Sequence, residues 1–296
     1  MTGNTFHIVD VFAERRYAGN QLAVVEGGDS LSTEQMQQIA REFDYSETTF
    51  IESSTPVDGG YAVRIFTPEE EVPFAGHPTL GTAHILREHI ATGASDRVTL
   101  NLKAGQIPVT VDSTGEAETL WMKQNQPDFG QEFGHEQVAT VLGLESDAVH
   151  QEFPVQAVST GLPTVIVPLK SRDAVERISV DREAYAGFVA GHDAKLILAF
   201  CPEPRDSTNH LAARVFAHYH GVPEDPATGS ANGCLAGYLA KYEYLDTPAI
   251  DVRVEQGYEM GRPSLLHLQA DRTVEDMSVH VGGEVISVAT GELVGE

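Results

Sequence analysis

Apolar and polar positions alternate with a period of two in many short runs along the chain, as in strands with one buried face. Ala62-Val63-Arg64-Ile65-Phe66, Val165-Ile166-Val167 and Leu196-Ile197-Leu198-Ala199-Phe200 are rich in β-branched residues or Leu and read as strands. A helical period is rarer. Met36, Ile39, Ala40 and Phe43 fall at i, i+3, i+4 and i+7 behind a cap at Ser32 or Thr33, and helices are expected over 136–142 and 181–189. Two further apolar sets, Leu80, Ile85, Leu86 and Leu235, Tyr238, Leu239, have Gly and Ala on several sides, the pattern of a helix enclosed by sheet. Many strands around one buried helix, twice over, predicts an α+β fold.

The chain also repeats itself. Arg64-Ile65-Phe66 precedes Val72-Pro73 as Arg214-Val215-Phe216 precedes Val222-Pro223. Each segment then enters small residues and an apolar helix, Ala75 to Thr82 in one copy and Asp225 to Asn232 in the other. Gly19–Val24 resembles Gly161–Ile166, and Val98, Leu100, Leu102 before Gly105 resemble Ile250, Val252, Val254 before Gly257. Four matches in one order indicate a duplicated unit. The expected division is 1–120 and 128–284, with Gln124 to Asp128 as the boundary and a terminal strand at about 285–296 joining the first copy.

Duplication places two helix starts in equivalent positions. The first N–H groups of a helix lack internal partners and its N-terminal end carries partial positive charge, so such a start can hold a carboxylate. Related by a pseudo-dyad, both starts can face one interdomain cleft. Taken singly, Pro78 and Pro226 merely suit a first helical turn and Thr79 or Thr228 a cap.

Composition narrows the partners. Of 296 residues, 19 are Lys or Arg and 44 Asp or Glu, a net charge of −25, with only five Lys. This excludes a nucleic-acid groove as a first reading, because phosphate binding needs clustered cations. Such a surface repels itself unless salt screens it, which points to a halophile, with an ordinary acidic protein as the alternative. No apolar run is long enough to span a membrane, no secretory leader is evident, and two cysteines cannot build a disulfide framework. The expected location is the cytoplasm.

Ser46-Glu47-Thr48-Thr49-Phe50, Arg64-Ile65-Phe66-Thr67-Pro68 with Pro73-Phe74-Ala75-Gly76-His77-Pro78-Thr79, Glu224-Asp225-Pro226-Ala227-Thr228-Gly229-Ser230-Ala231, and Gln256-Gly257 with Met260-Gly261-Arg262-Pro263-Ser264 together resemble the phenazine-biosynthesis isomerase (PhzF-like) family. The resemblance spans nearly the whole chain. It implies the diaminopimelate-epimerase-like fold, two pseudo-symmetric domains each with mainly antiparallel sheet around a central helix, no metal or organic cofactor, and a homodimer. It also implies a proton shift on a small carboxylate-bearing metabolite, as in the isomerisation of a dihydro-hydroxyanthranilate, with a glutamate as shuttle.

That role carries over to Glu47, which sits before the apolar turn Thr48-Thr49-Phe50-Ile51; the plainer reading is a solvated loop acid. His77 and Asp225 are the next candidates, one at each helix start. A neutral His77, its pKa lowered by the helix N-terminus, can bond or relay a proton, and Asp225 can orient a substrate amino or hydroxyl group. Their plainer readings are a packed histidine and a helix-stabilising aspartate. Gly76, Gly229 and Ser230 are candidates for holding the substrate's carboxylate. The alternatives are an amino-acid racemase or epimerase of the same fold and a metabolite-binding protein without turnover.

Other signals are weaker. His218-Tyr219-His220 puts two imidazoles on one face if it is a strand, but lacks a third ligand for a metal. Gly27-Gly28 and Gly282-Gly283 read as turns. Related epimerases use paired cysteines, whereas Cys201 and Cys234 read as core residues.

Overall fold

The computed structural model describes residues 3–91, 96–115 and 117–294; the last two positions of the expected terminal strand, 295 and 296, lie outside them. The chain divides into two units, Met1–Met122 with Gly282–Glu296, and Lys123–Val281. The first begins with β1 (Thr5–Val11), β2 (Asn20–Glu26), α1 (Thr33–Phe43), β3 (Thr48–Ile51), β4 (Tyr61–Phe66) and β5 (Glu71–Val72). It continues through α2 (Gly76–Ile85), β6 (Arg97–Leu102), β7 (Gly105–Asp112) and β8 (Thr119–Lys123). The second holds β9 (Asp128–Phe133), α3 (His135–Leu142), β10 (Val155–Ser159), β11 (Thr164–Pro168), α4 (Arg172–Glu176), α5 (Arg182–Val189) and β12 (Leu196–Cys201). It goes on through β13 (Leu211–Ala217), β14 (Val222–Asp225), α6 (Gly229–Lys241), β15 (Ala249–Gln256), β16 (Ser264–Arg272) and β17 (Met277–Gly283), after which β18 (Val285–Glu292) returns to the first unit.

Strand pairing follows one scheme in both units. In the first, β1 lies antiparallel between β18 and β2, β2 pairs parallel with β3, and β3 antiparallel with β4. β4 then pairs antiparallel with β5 and parallel with β6, which is antiparallel to β7. In the second, β10 lies antiparallel between β9 and β11, β11 is parallel to β12, and β12 antiparallel to β13. β13 pairs antiparallel with β14 and parallel with β15, which is antiparallel to β16. The architecture is the mixed α+β fold expected of the sequence, mostly sheet with few helices.

Each unit encloses one helix. α2 packs on β1, β2, β3, β6, β7 and β18, and α6 on the corresponding β10, β11, β12, β15 and β16. Small residues allow this. A Cβ on Gly81 would stand 2.5 Å from Leu22 and 2.9 Å from Val11, and one on Gly237 2.8 Å from Pro127, so both helices approach their surroundings more closely than Ala would permit. α1 is instead a surface helix whose Met36 and Ala40 join Val25, Phe50 and Phe66 in a core cluster. Ser32 is its cap, accepting from the Gln35 N–H while the Gln35 side chain accepts from the Ser32 N–H.

Three local expectations change. Thr48 to Ile51 is not a turn but strand β3, buried throughout, because its two neighbours β2 and β4 take up its backbone groups. Gly282-Gly283 ends β17 rather than turning, and the Trp121 ring occupies the space that a Cβ on Gly282 would need. His218–His220 is a single 3-10 turn, not a strand, so its two imidazoles do not share a strand face; His218 instead lies edge-on to Tyr185.

Candidate active site

In the first unit β3 and α2 bring Glu47 and His77 together. Glu47 immediately precedes β3, whose Thr48 is opposite Ala23 on one side and Phe66 on the other. His77 is the second residue of α2, after Gly76. Glu47 Oε2 and His77 Nε2 are 3.4 Å apart, with the side chains 19% and 7% exposed. The Nε2 atom lacks hydrogen-bond alignment, and catalytic pairs are often this loose without substrate. Beside them, the Thr48 hydroxyl is buried without a partner among the described residues, and Thr49 Oγ1 bonds Thr82 Oγ1 at 2.7 Å.

Burial pushes the His77 imidazole down to about 3, against the opposing effect of a hydrogen bond to the Gln21 backbone. The neutral ring expected for His77 is therefore present, but desolvation is its main cause rather than the helix end. A neutral imidazole has one N–H. Donated to the Gln21 carbonyl, it leaves Nε2 as an acceptor toward Glu47. This burial has a cost in acid: the unfolded chain takes up a proton below about pH 6.5 that the folded chain refuses until about pH 3, so stability falls as pH falls through that window. Going from pH 7 to pH 5 should lose about 2 kcal/mol through this group. In His77→Gln the denaturant midpoint should become flatter over the same range.

In the second unit, Asp225 ends β14 and Thr228 precedes α6. The Thr228 hydroxyl donates to Asp225 Oδ2, so it does not cap the helix. Gln256 Nε2 donates to the Asp225 carbonyl at 2.7 Å, and Gln256 Oε1 accepts from Asn232 Nδ2 at 2.8 Å. Gly229 and Asn232 are buried, and Ser230 is partly so. The starts of α2 and α6 both lack a side-chain cap, as does that of α3, whereas Ser32, Ser171 and Asp181 cap α1, α4 and α5. The N–H groups at Gly76, Gly229 and Ser230 thus have no competing side-chain acceptor of that kind.

Gln256, Asn232 and the Gln21 carbonyl carry no role in the sequence pattern, and Thr228 only that of a helix cap. Gln256 lies in the Gln256-Gly257 motif, but only folding brings its amide to Asp225 and Asn232. The remaining candidates separate from the site. Both cysteines are buried; burial pushes the Cys201 thiol up to about 11 and raises that of Cys234 as well, contrary to what a thiolate racemase needs. A cavity of about 630 Å³ in the second unit is lined by Arg172, Glu203, Arg205, Asn209 and His210, and includes none of the expected site residues. Among the described residues, no helix is long and apolar enough to cross a membrane.

The model of the phenazine biosynthesis-like protein family, PhzC-PhzF, matches residues 9–291. The trans-2,3-dihydro-3-hydroxyanthranilate isomerase of Pseudomonas aeruginosa is 34% identical over 96% of this chain and 97% of its own. The crystal structure of a Bacillus anthracis phenazine biosynthesis protein of the PhzF family superposes with a TM-score of 0.91 at 30% identity, covering 99% of this chain and 100% of the other. A probable proline racemase of Agrobacterium radiobacter shares the fold alone, with a TM-score of 0.60 at 10% identity over 99% of this chain and 93% of its own. Family model, curated relative and solved structure agree over almost the full length, and the chain belongs to the phenazine biosynthesis-like (PhzC-PhzF) family, as an isomerase.

Proposed function

We propose that this isomerase moves a proton within a small, unsaturated or cyclic, carboxylate-bearing metabolite of the dihydro-hydroxyanthranilate type, with Glu47 as the shuttle and no metal or organic cofactor. The observation that carries the reading is the placement of Glu47 against a buried, neutral imidazole. A carboxylate can remove a proton from one carbon and, as a carboxylic acid, return it to another. The His77 Nε2 lone pair can accept from that acid and keep it aimed. Charge developing on the substrate spreads toward its carboxylate, which we assign to the N–H groups of Gly76, Gly229 and Ser230. Asp225 is assigned to an amino or hydroxyl group of the substrate. The test is incubation in D₂O with trans-2,3-dihydro-3-hydroxyanthranilate and related dihydroaromatic acids, following ring deuteration by NMR. Deuterium should appear at one carbon of the product; binding without exchange would make this a metabolite-binding protein.

The surface charge belongs to the same reading. At −25 the protein repels an anionic substrate at long range, so capture rests on local N–H groups while salt screens the field. We read the chain as a cytoplasmic, homodimeric protein of a halophile that binds neither nucleic acid nor membrane. Melting temperature and turnover should rise from low to molar KCl; a flat or falling profile would remove the halophilic reading.

A further inference from the structure

We propose that Gln256 is a positioning residue for Asp225, an inference that rests on the reading of Asp225 as a substrate-orienting group. Gln256 is 1% exposed and stands at the end of β15, beside the turn that leads into α6. Its amide has a forced orientation. The Asp225 carbonyl can only accept, so the nitrogen of Gln256 must face it, at 2.7 Å. The oxygen then faces Asn232, whose nitrogen must turn toward it, at 2.8 Å, and toward the Thr228 carbonyl, at 3.1 Å. Asn232 Oδ1 is thereby left buried with no hydrogen-bond partner among the described residues.

Flipping Asn232 would set two acceptors against its oxygen, and flipping Gln256 would set an oxygen against the Asp225 carbonyl. The structure keeps the orphaned oxygen instead, an arrangement worth retaining where the donors it aims have a task. Gln256 Nε2 also lies 3.3 Å from Thr228 Oγ1, whose hydroxyl donates to the Asp225 carboxylate. One amide therefore holds both the backbone of Asp225 and the hydroxyl that orients its side chain. The adjoining Gly257 has φ +77°, and a Cβ there would stand 2.6 Å from the Pro226 oxygen, so β15 is pressed onto this turn.

Among the described residues the first unit has no such amide pair. By strand register its counterpart of Gln256 is Leu102, since Tyr61 pairs with Leu100 where Leu211 pairs with Val254, and its counterpart of Asn232 is Thr82; neither carries an amide side chain. The amide pair occurs in the copy that carries the aspartate.

Gln256→Glu and Gln256→Leu test this in the full chain. An ionised carboxylate cannot donate to the Asp225 carbonyl, whereas a protonated one can. At about pH 8, Gln256→Glu should lose kcat by about tenfold or more with KM changed less than about threefold, and recover toward wild type near about pH 5. Gln256→Leu should stay low throughout. Wild-type kcat in both variants, or the same loss at every pH in both, would overturn the proposal. Should the wild type show no exchange at all, the proposed function fails, and the ¹³C carboxyl resonance of Asp225 still decides. It should move in Gln256→Leu and return in Gln256→Glu at low pH; an unmoved resonance in both would overturn positioning.

Discussion

Glu47→Gln should lower solvent-deuterium incorporation by about 10² to 10⁴-fold, the contribution of a positioned acid/base group. Glutamine preserves the shape of the side chain beside His77 and can still form hydrogen bonds, but it cannot accept a proton from carbon and give it back. The loss should therefore fall on kcat, with KM little changed, as for an interaction made only in the transition state. Thermal unfolding should match wild type, because Glu47 precedes β3 and lends it no backbone bond that glutamine lacks. Equal deuterium uptake by variant and wild type would sink the assignment and return Glu47 to the status of an ordinary loop acid.

Arg214→Met should cost about 3 to 5 kcal/mol of stability, read from chemical denaturation, because it removes one partner of a buried ion pair. Arg214 is 8% exposed. Its guanidinium holds Glu224 through two bonds of 2.8 and 2.7 Å and reaches the Val175 and Ile178 carbonyls at 3.1 Å each. Methionine fills the space but strips the Glu224 carboxylate and the Ile178 carbonyl of the guanidinium donor, while the Val175 carbonyl keeps the Ile178 N–H at 3.3 Å. The duplicated chain supplies its own control. Arg64 grips Glu71 by the same two-pronged contact, at 2.8 and 2.7 Å, but its side chain is 20% exposed against 9% for Arg214. After Arg64→Met the Glu71 carboxylate still has Lys103 Nζ at 2.6 Å, a second cation alongside the more exposed arginine site, so that variant should cost less, about 1 to 2 kcal/mol. Equal losses at both positions would show that neither the exposure of Arg64 nor the Lys103 contact offsets the lost pair.

The repeat was legible because duplication preserves both order and periodicity. Arg64 and Arg214 stand in corresponding strands β4 and β13, and the small residues before each enclosed helix are visible as composition alone. The pairing of Glu47 with His77 was harder to read. Thirty residues separate them, and nothing local to Glu47 distinguishes it among 44 acids; the family resemblance singled it out. Periodicity misjudged Thr48 to Ile51 because a fully buried strand of four residues has no polar face to reveal its period. His218–His220 misled for the opposite reason: alternation over three residues fits a strand, yet a 3-10 turn closes there with Gly221 at φ 79°.

By itself the sequence determined the α+β class, the repeated enclosed helices, the surface charge and the residues eligible for acid/base chemistry. Each follows from composition or from periods that a linear chain displays. Tertiary structure decided which of those residues have the environment that chemistry requires. It buried His77 and so made it neutral, set its Nε2 beside Glu47, and turned the Gln256 amide so that one face meets Asp225 and the other Asn232. It also placed Cys201 and Cys234 where desolvation raises their thiols out of use. Burial and orientation arise from contacts between segments far apart in the chain, and the local pattern around any one of these residues holds no record of them.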